Sequence, residues 1–467
     1  MTQLLDNLRR AAKPKGFSLS ISKRRLYLAC FFIFLIAAGV RILVWQNNRS
    51  DIERSLSGVS QAYLTDARTL LAGDLNKFVF GINPPSDANV LAHPPGYPII
   101  MAAVYGVFGE GNAMTIAQIV LNSFAPVLVF LIALQLFSFR VGLVAGFLIA
   151  VSPQLSYNSA ILLPDSLSVI PILLSVYFLI RAYNGRSLKY EILCGLSLGA
   201  ACWLRPNPLF LPIFVVLFAV FAVPKDRRLR FPLVVTIVFM AVIAPITIRN
   251  YVGFGYLIPL SLGSGVTFVE GIADFDKESR FGLAATDEGV MELEAKTFDR
   301  PDYYGSLYNP DGIERENGRL KMGLAVVRSD PLWFARVASR RGVSMFRFER
   351  VPAITDNPVS SESVNRVAYY LNLPLRLFQR LFISAIFLPL FVIGIVLLLK
   401  DKTHWRKSLI LLTVPLYFVC FQSLLHTEYR YVLAVPHFVL IFAAVAIDNI
   451  LILLESLLKI HRPADTQ

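Results

Sequence analysis

Residues 26–45, LYLACFFIFLIAAGVRILVW, decide how the rest of the chain is read. This is an apolar run of spanning length, broken only by Arg41 toward its far end, and seven Lys or Arg precede it within the first 25 residues. It is too long for the apolar core of a signal peptide and lacks a small-residue cleavage site. The run is therefore an uncleaved membrane span behind a basic tail.

Similar stretches follow at 113–137, 139–157, 165–182, 188–204, 208–224, 231–248, 380–400, 407–425 and 430–456. Together they predict an all-α polytopic membrane protein of about ten transmembrane helices. The composition agrees, with 55% hydrophobic and only 16% charged residues in 467. Alternation from a cytoplasmic N-terminus puts on the inside Arg140; Arg181, Arg186 and Lys189; Lys225, Arg227, Arg228 and Arg230; Lys400, Lys402, Arg406 and Lys407; and Lys459 and Arg462. Every inside segment is basic, while the short outside turns 158–164 and 205–207 carry a single basic residue, Arg205. The stretch 98–108, PIIMAAVYGVF, is about half the length of a crossing. It is read as an interfacial or re-entrant helix.

The same residues bound the function. Cys30, Cys194, Cys202 and Cys420 all lie inside apolar runs, which argues against disulfide, redox or zinc chemistry. The net charge of +13 belongs with basic loops beside a bilayer, so the partner is the membrane and no nucleic acid. No Gly-rich nucleotide loop is evident.

Two long polar segments fall outside. In 46–112, VSQAYLTDARTLLAGDL predicts a helix ending near Gly73, with Tyr63, Ala67, Leu70 and Leu71 on one face and Asp66 beside them. The loop GINPPSDANVLAHPPGYP, whose prolines fix the backbone, follows it. Segment 249–378 is balanced in charge and reads as a helical cap that opens with a strand or turn at GSGVTFVEG. Within it PLWFARVASRRGVSMFRFER sets Leu332, Phe334, Val337, Val343, Phe346 and Phe348 among arginines, as a headgroup helix or a plain cap helix. The expected organisation is a basic tail 1–25, a bundle 26–248 containing the loop 46–112, the cap 249–378, C-terminal helices 379–457 and a tail 458–467.

The order of a first span, a long outside loop with His93-Pro94-Pro95-Gly96-Tyr97-Pro98, then Leu163-Pro164-Asp165, Arg205-Pro206, Arg249-Asn250-Tyr251 and His426-x-Glu428-x-Arg430-Tyr431 resembles the GT-C glycosyltransferases. Within that superfamily the chain looks like the relatives of the dolichyl-phosphate-mannose protein mannosyltransferases and the bacterial lipid A sugar transferases. The resemblance implies a GT-C bundle, a polyprenyl-phosphate-linked sugar donor and inverting transfer to a lipid, glycan or protein acceptor. It also implies an integral protein of the bacterial inner (plasma) membrane whose active site is extracytoplasmic.

Such chemistry needs a carboxylate to take the acceptor proton and cations on the departing phosphate. Asp66 is the expected base, from the loop where the family keeps its catalytic aspartate. Many relatives carry D-x-x-x-Y before the loop tyrosine, and Val59 stands there in this chain. Asp51, Glu53 or an inactive chain are the alternatives. Asp165 is either a helix-start acid or a positioning group. Arg205 either snorkels to headgroups or binds the carrier phosphate, and Arg430 either binds phosphate in bidentate fashion or pairs with Glu428. His93, Arg249, His426, Glu428 and Tyr431 complete the substrate-binding candidates, with a juxtamembrane anchor as the default for Arg249. No cofactor is called for. A divalent metal stays open, since the first loop has acids without a diagnostic ligand spacing. Two rival classes are a transporter or flippase, for which no internal repeat is found, and a non-catalytic relative that binds the lipid carrier.

Overall fold

A computed structural model describes residues 22–48, 58–185, 187–222, 227–348, 366–400 and 405–460. Asp51 and Glu53 lie outside the described residues. In chain order the helices are α1 (Lys23–Asn47), α2 (Val59–Leu71), α3 (Leu75–Phe80), α4 (Gly96–Phe108), α5 (Ala113–Asn122), α6 (Phe124–Leu136), α7 (Phe139–Val151), α8 (Pro153–Asn158), α9 (Pro164–Asn184) and α10 (Leu188–Leu204). They continue as α11 (Leu211–Ala222), α12 (Arg230–Phe254), α13 (Ser264–Ala273), α14 (Asp287–Thr297), α15 (Gly312–Ser329), α16 (Pro331–Ser344), α17 (Arg366–Gln379), α18 (Ser384–Lys400), α19 (Trp405–Phe421) and α20 (Ala434–Ile460). Among the described residues no strand occurs. Among the described residues each apolar stretch read from the sequence is mainly helical.

The chain is an integral membrane protein. Among the described residues five helical stretches are long and apolar enough to cross a bilayer: α1, α5 with α6, α9, α12 and α20 up to Leu458; the end of α17 and α18 form a further pair bent by 60°. The helix α20 is the axis of the bundle. Val435 and Phe438 through Ala444 have no exposed surface, as expected of a helix apolar all round. α18 crosses it at Gly394, where a Cβ would overlap the main chain of Phe442.

Charges inside the bundle meet partners at helix ends. Glu191 on α10 is fully buried and pairs with Arg230 of α12 at 2.8 Å and Arg227 at 3.5 Å. Arg140 joins α7 to α20 through Asp448 at 2.6 Å and Glu455 at 3.1 Å. Arg41 is spent differently. The helix α7 stops at Val151, ahead of Pro153, leaving terminal carbonyls within the bundle. Arg41 donates to Ala150 O at 3.5 Å and Ala37 O at 3.2 Å, and Gln379 of α17 donates to Val151 O at 3.0 Å. A cation at a helix C-terminus meets the negative end of its dipole, and carbonyls with no access to water are satisfied.

The two long polar segments pack together at one end of this bundle. Ala88 and Leu91 from the first share a core with Phe254, Ile258, Leu262 and Ile313 of the second. Leu262 N–H donates to Leu91 O at 2.7 Å, and Ala88 N–H to Tyr308 O at 3.0 Å. The α4 helix confirms 98–108 as a short apolar element, packed on α2.

Two expectations are corrected here. GSGVTFVEG is neither strand nor turn but the start of α13. Glu316 accepts the otherwise unpaired N–H groups of Gly263 at 2.8 Å and Gly265 at 2.5 Å at its beginning, so tertiary contact overrides the strand preference of Val266, Thr267 and Val269. The stretch PLWFARVASRRGVSMFRFER, expected as one helix, is not carried on a single helix. The helix α16 ends at Ser344, and Phe346 and Phe348 turn into the bundle against Phe391 and Phe387 at 5.4 and 5.1 Å.

Gly394→Leu is expected to lower the melting temperature of the detergent-solubilised protein, by overpacking worth about 1–3 kcal/mol, read by thermal unfolding. An unchanged midpoint would mean that α18 and α20 are not in backbone contact there.

Candidate functional site

The end of α10 sets Arg205. Pro206 disfavours helical geometry at the residue before it, and Arg205 leaves the helix extended, at φ −144° and ψ 142°. Its guanidinium reaches Asp165 at 3.1 Å. Asp165 occupies the first turn of α9 directly after Pro164, where the helix dipole favours an acid.

The third contributor is the segment between α19 and α20. It is tied down by Asn207 Nδ2 donating to Gln422 Oε1 at 3.1 Å, and by Gln422 Nε2 donating to the His426 carbonyl at 3.1 Å. From it Tyr431 presents its ring to two cations: Arg205 at 4.9 Å and Arg430 at 5.2 Å from the centroid. Arg430 is itself held by Glu428, with Nε at 2.6 Å from Oε2 and Nη2 donating to Oε1 at 3.0 Å. Burial pushes the Glu428 carboxyl up, but His426 and Arg430 outweigh it and leave it below the ordinary range. His426 bridges further, to Asp274 on the turn after α13 at 2.6 Å and to Glu428 at 3.8 Å. Those bonds raise His426 to about 10 in spite of burial, so it is an imidazolium.

The first polar segment closes the site. His93 packs on the Tyr63 ring at 5.0 Å, and Tyr63 on Tyr97 at 5.1 Å. Burial, then the fields of Arg205 and Arg430, push His93 down to about 3, so its ring is neutral. Burial raises the Tyr63 phenol, against the opposing pull of Arg205. Tyr63 Oη, both carboxylate oxygens of Asp165, and Nε of Arg205 and of Arg430 are buried without a hydrogen-bond partner of good geometry. The narrow space lined by Asp165, Ser168, Arg205, Asn207, Arg430 and Tyr431 is about 10 Å³, room for about one water. Buried polar atoms left this way cost free energy unless something meets them.

Of the residues named from the sequence, Asp165, Arg205, His93, His426, Glu428, Arg430 and Tyr431 thus come together. Asp66 stands apart from them: burial raises its carboxyl to about 6, and among the described residues Arg249 is the charge that opposes the rise. Arg249 Nη1 donates to Val79 O at 3.4 Å. Asp66 stands one turn beyond Tyr63 on α2, about 4.5 Å along the axis, on the same side of the helix. The sequence reading passed over Tyr63 as a site residue, although its i, i+3 spacing to Asp66 carried the signal. It also missed Asn207, Gln422 and Asp274, which no local pattern marks. Among the described residues no group of three or more His, Cys, Asp or Glu is arranged to hold a metal ion.

Residues 92–248 match the family model described as dolichyl-phosphate-mannose-protein mannosyltransferase. The oligosaccharyltransferase of Archaeoglobus fulgidus, tethered with an acceptor peptide containing the NVT sequon, superposes with a TM-score of 0.52 at 16% identity, over 94% of this chain and 51% of that one. Its apo form gives 0.50 at 15% identity, over 96% and 53%. ArnT from Cupriavidus metallidurans bound to undecaprenyl phosphate aligns over 89% of this chain and 77% of that one at 13% identity, with a TM-score of 0.36. This chain spans about half the length of the oligosaccharyltransferase, and at such identities the common property is the fold. No protein of curated function matches the sequence. Over residues 92–248 the chain is thus similar to that mannosyltransferase family, and across most of its length it shares the helical fold of the oligosaccharyltransferase.

Because Asp66 titrates at about 6 in the folded chain, above its ordinary 3.8, the protonated form favours folding. That contribution is complete below the ordinary value and lost as pH rises through about 6. Asp66→Asn should therefore leave thermal stability unchanged in acid near pH 4 and raise it at about pH 8. Equal melting temperatures for variant and parent on the alkaline side would mean that this carboxylate is fully hydrated.

Proposed function

We propose that this GT-C-type chain is a glycosyltransferase that moves a sugar from a polyprenyl-phosphate-linked donor to a lipid, glycan or protein acceptor. It acts at the extracytoplasmic face of a plasma membrane, with the segment 249–378 as a cap over the site. The observation that carries this reading is the convergence of Arg205 and Arg430 on one aromatic ring, among buried polar atoms without hydrogen-bond partners. Two guanidiniums, each with one side taken by a carboxylate and donors to spare, suit a phosphate at the level where a lipid tail enters hydrocarbon and a sugar meets water. The family description matching residues 92–248 names a sugar carried on dolichyl phosphate, which is a donor of that chemistry.

In this mechanism the arginines take the charge that develops on the phosphate oxygen as the bond from the anomeric carbon breaks. Asp165 and Glu428 orient them. The acceptor attacks from the opposite face, so the anomeric carbon inverts, and its proton passes to Asp66. A carboxylate titrating at about 6 is ionised at neutral pH yet basic enough to accept a proton. Neutral His93 on its Tyr63 platform both donates and accepts hydrogen bonds, which suits sugar hydroxyls. Arg249 keeps Asp66 from rising further.

A second reading has its own support. Val59 stands where relatives keep an aspartate, and Asp66 faces Arg249 instead of the arginine pair. The chain would then bind the carrier lipid without turnover.

The test titrates dolichyl phosphate and undecaprenyl phosphate onto the protein in lipid nanodiscs, with sugar transfer followed in membranes. Arg205→Gln and Arg430→Gln should each weaken binding roughly tenfold. Asp66→Asn should bind as the parent does but lose transfer, whose rate in the parent should climb as pH rises through about 6. Undiminished binding in both arginine variants refutes the phosphate site; binding with no transfer in the parent selects the second reading.

A further inference from the structure

We infer that Asp274 and His426 are positioning residues that hold Arg430 for the donor phosphate, through the chain Asp274–His426–Glu428–Arg430. This rests on the reading of Arg430 as a phosphate-binding residue. Asp274 belongs to the cap, one residue past α13, whereas Arg430 belongs to the segment leading into the bundle's axial helix, and His426 is the side chain that joins them.

The outer links are short, the middle one is an ion-pair contact, and the charges alternate. Asp274 Oδ2 lies 2.6 Å from His426 Nδ1, His426 Nε2 lies 3.8 Å from Glu428 Oε1, and Glu428 Oε2 lies 2.6 Å from Arg430 Nε. Glu428 occupies the Nε and Nη2 edge of the guanidinium and leaves the Nη1 end for another anion. The main chain is fixed independently of these charges. His426 N–H donates to the Thr267 carbonyl at 2.6 Å, and Gly271 lies directly against the same amide. The imidazole therefore cannot follow Glu428 if Glu428 drifts, and Asp274 determines both the ring's orientation and its charge. An uncharged imidazole would hold Glu428 more weakly, and the carboxylate would then be free to swing with Arg430.

The groups facing His426 bear on its charge. On α13 these are Asp274 and, more distantly, Glu270, which burial and then its neighbour Asp287 on α14 raise to about 8. On its own segment Glu428 and the Tyr431 ring, 6.3 Å away, face it, with Arg430 beyond. From α16, Arg341 is near Asp274. The bond to Asp274 is the largest contribution keeping His426 charged through neutral pH, ahead of the contact with Glu428. Without it the ring returns toward the ordinary histidine range.

The experiment measures undecaprenyl phosphate affinity in nanodiscs from about pH 6 to about pH 9, in a Glu270→Gln background so that Glu270 does not itself titrate. Asp274→Asn should match its parent at the acid end and lose roughly tenfold in affinity by the alkaline end. Adding His426→Gln should abolish that slope, and His426→Gln alone should weaken binding at every pH. A purely structural role for Asp274 would shift affinity evenly with pH. An Asp274→Asn curve superimposable on its parent, or merely offset from it, overturns the relay while Arg205→Gln and Arg430→Gln still lose binding. Normal binding in those arginine variants overturns the underlying site and the relay with it. Should Asp274→Asn fail to fold, parental affinity in His426→Gln overturns the relay by itself.

Discussion

The site depends on a backbone contact between cap and bundle. The helix α13 presents Gly271 to the amide of His426 so closely that any side chain there would force the two apart. Arg341 of α16 closes over this junction, donating to the carbonyls of Gly271 and Ser423. A buried guanidinium with carbonyl acceptors on both sides fastens three pieces of chain that are remote in sequence. It fixes where the segment 422–433 enters the bundle, and hence where Glu428, Arg430 and Tyr431 stand.

On that foundation the electrostatics follow from enclosure. Two arginines at one place repel, more strongly in a protein interior than in water. They are tolerated here because each has its own carboxylate, Asp165 or Glu428, and both share the electron-rich face of Tyr431. The fields of Arg205 and Arg430 together with burial keep His93 neutral, while His426, beside Asp274 and Glu428, is kept charged. Two histidines of one site are thus set to opposite states, one a neutral hydrogen-bonding ring and the other a fixed cation.

The bundle meets the parallel demand on its main chain. A helix that ends inside hydrocarbon must have its carbonyls satisfied by protein. Arg41 and Gln379 do this for α7, which explains an arginine in the first span that has no carboxylate among its close partners. In the cap, Glu294 does the converse, taking Arg315 and Arg319 at 2.7 Å each in a buried network with Glu316. Breaking such a pair by removing one partner is costly, because the other charge stays buried.

Much of this was legible in the chain. Among the described residues length and apolarity alone marked the long apolar helices, since a segment with no water to bond must be helical, and the proline after Arg205 and before Asp165 fixed those side chains at helix ends. The helix bearing Tyr63 and Asp66 followed from its period. Pairing was not legible. Asp274 finds His426 across 152 residues and Asp165 finds Arg205 across a helical hairpin, and spacing carries no information about which carboxylate will face which cation. Asp66 shows the limit: its place on α2 was readable, but its neighbour, Arg249, was set by how α12 packs. GSGVTFVEG shows it again, because the acceptor that makes it a helix, Glu316, arrives from another part of the cap. The sequence by itself determined which segments must be helical in a membrane, because that depends only on local apolarity and backbone satisfaction. The tertiary structure alone decided which charges meet, because that depends on distances between segments that the chain does not encode locally.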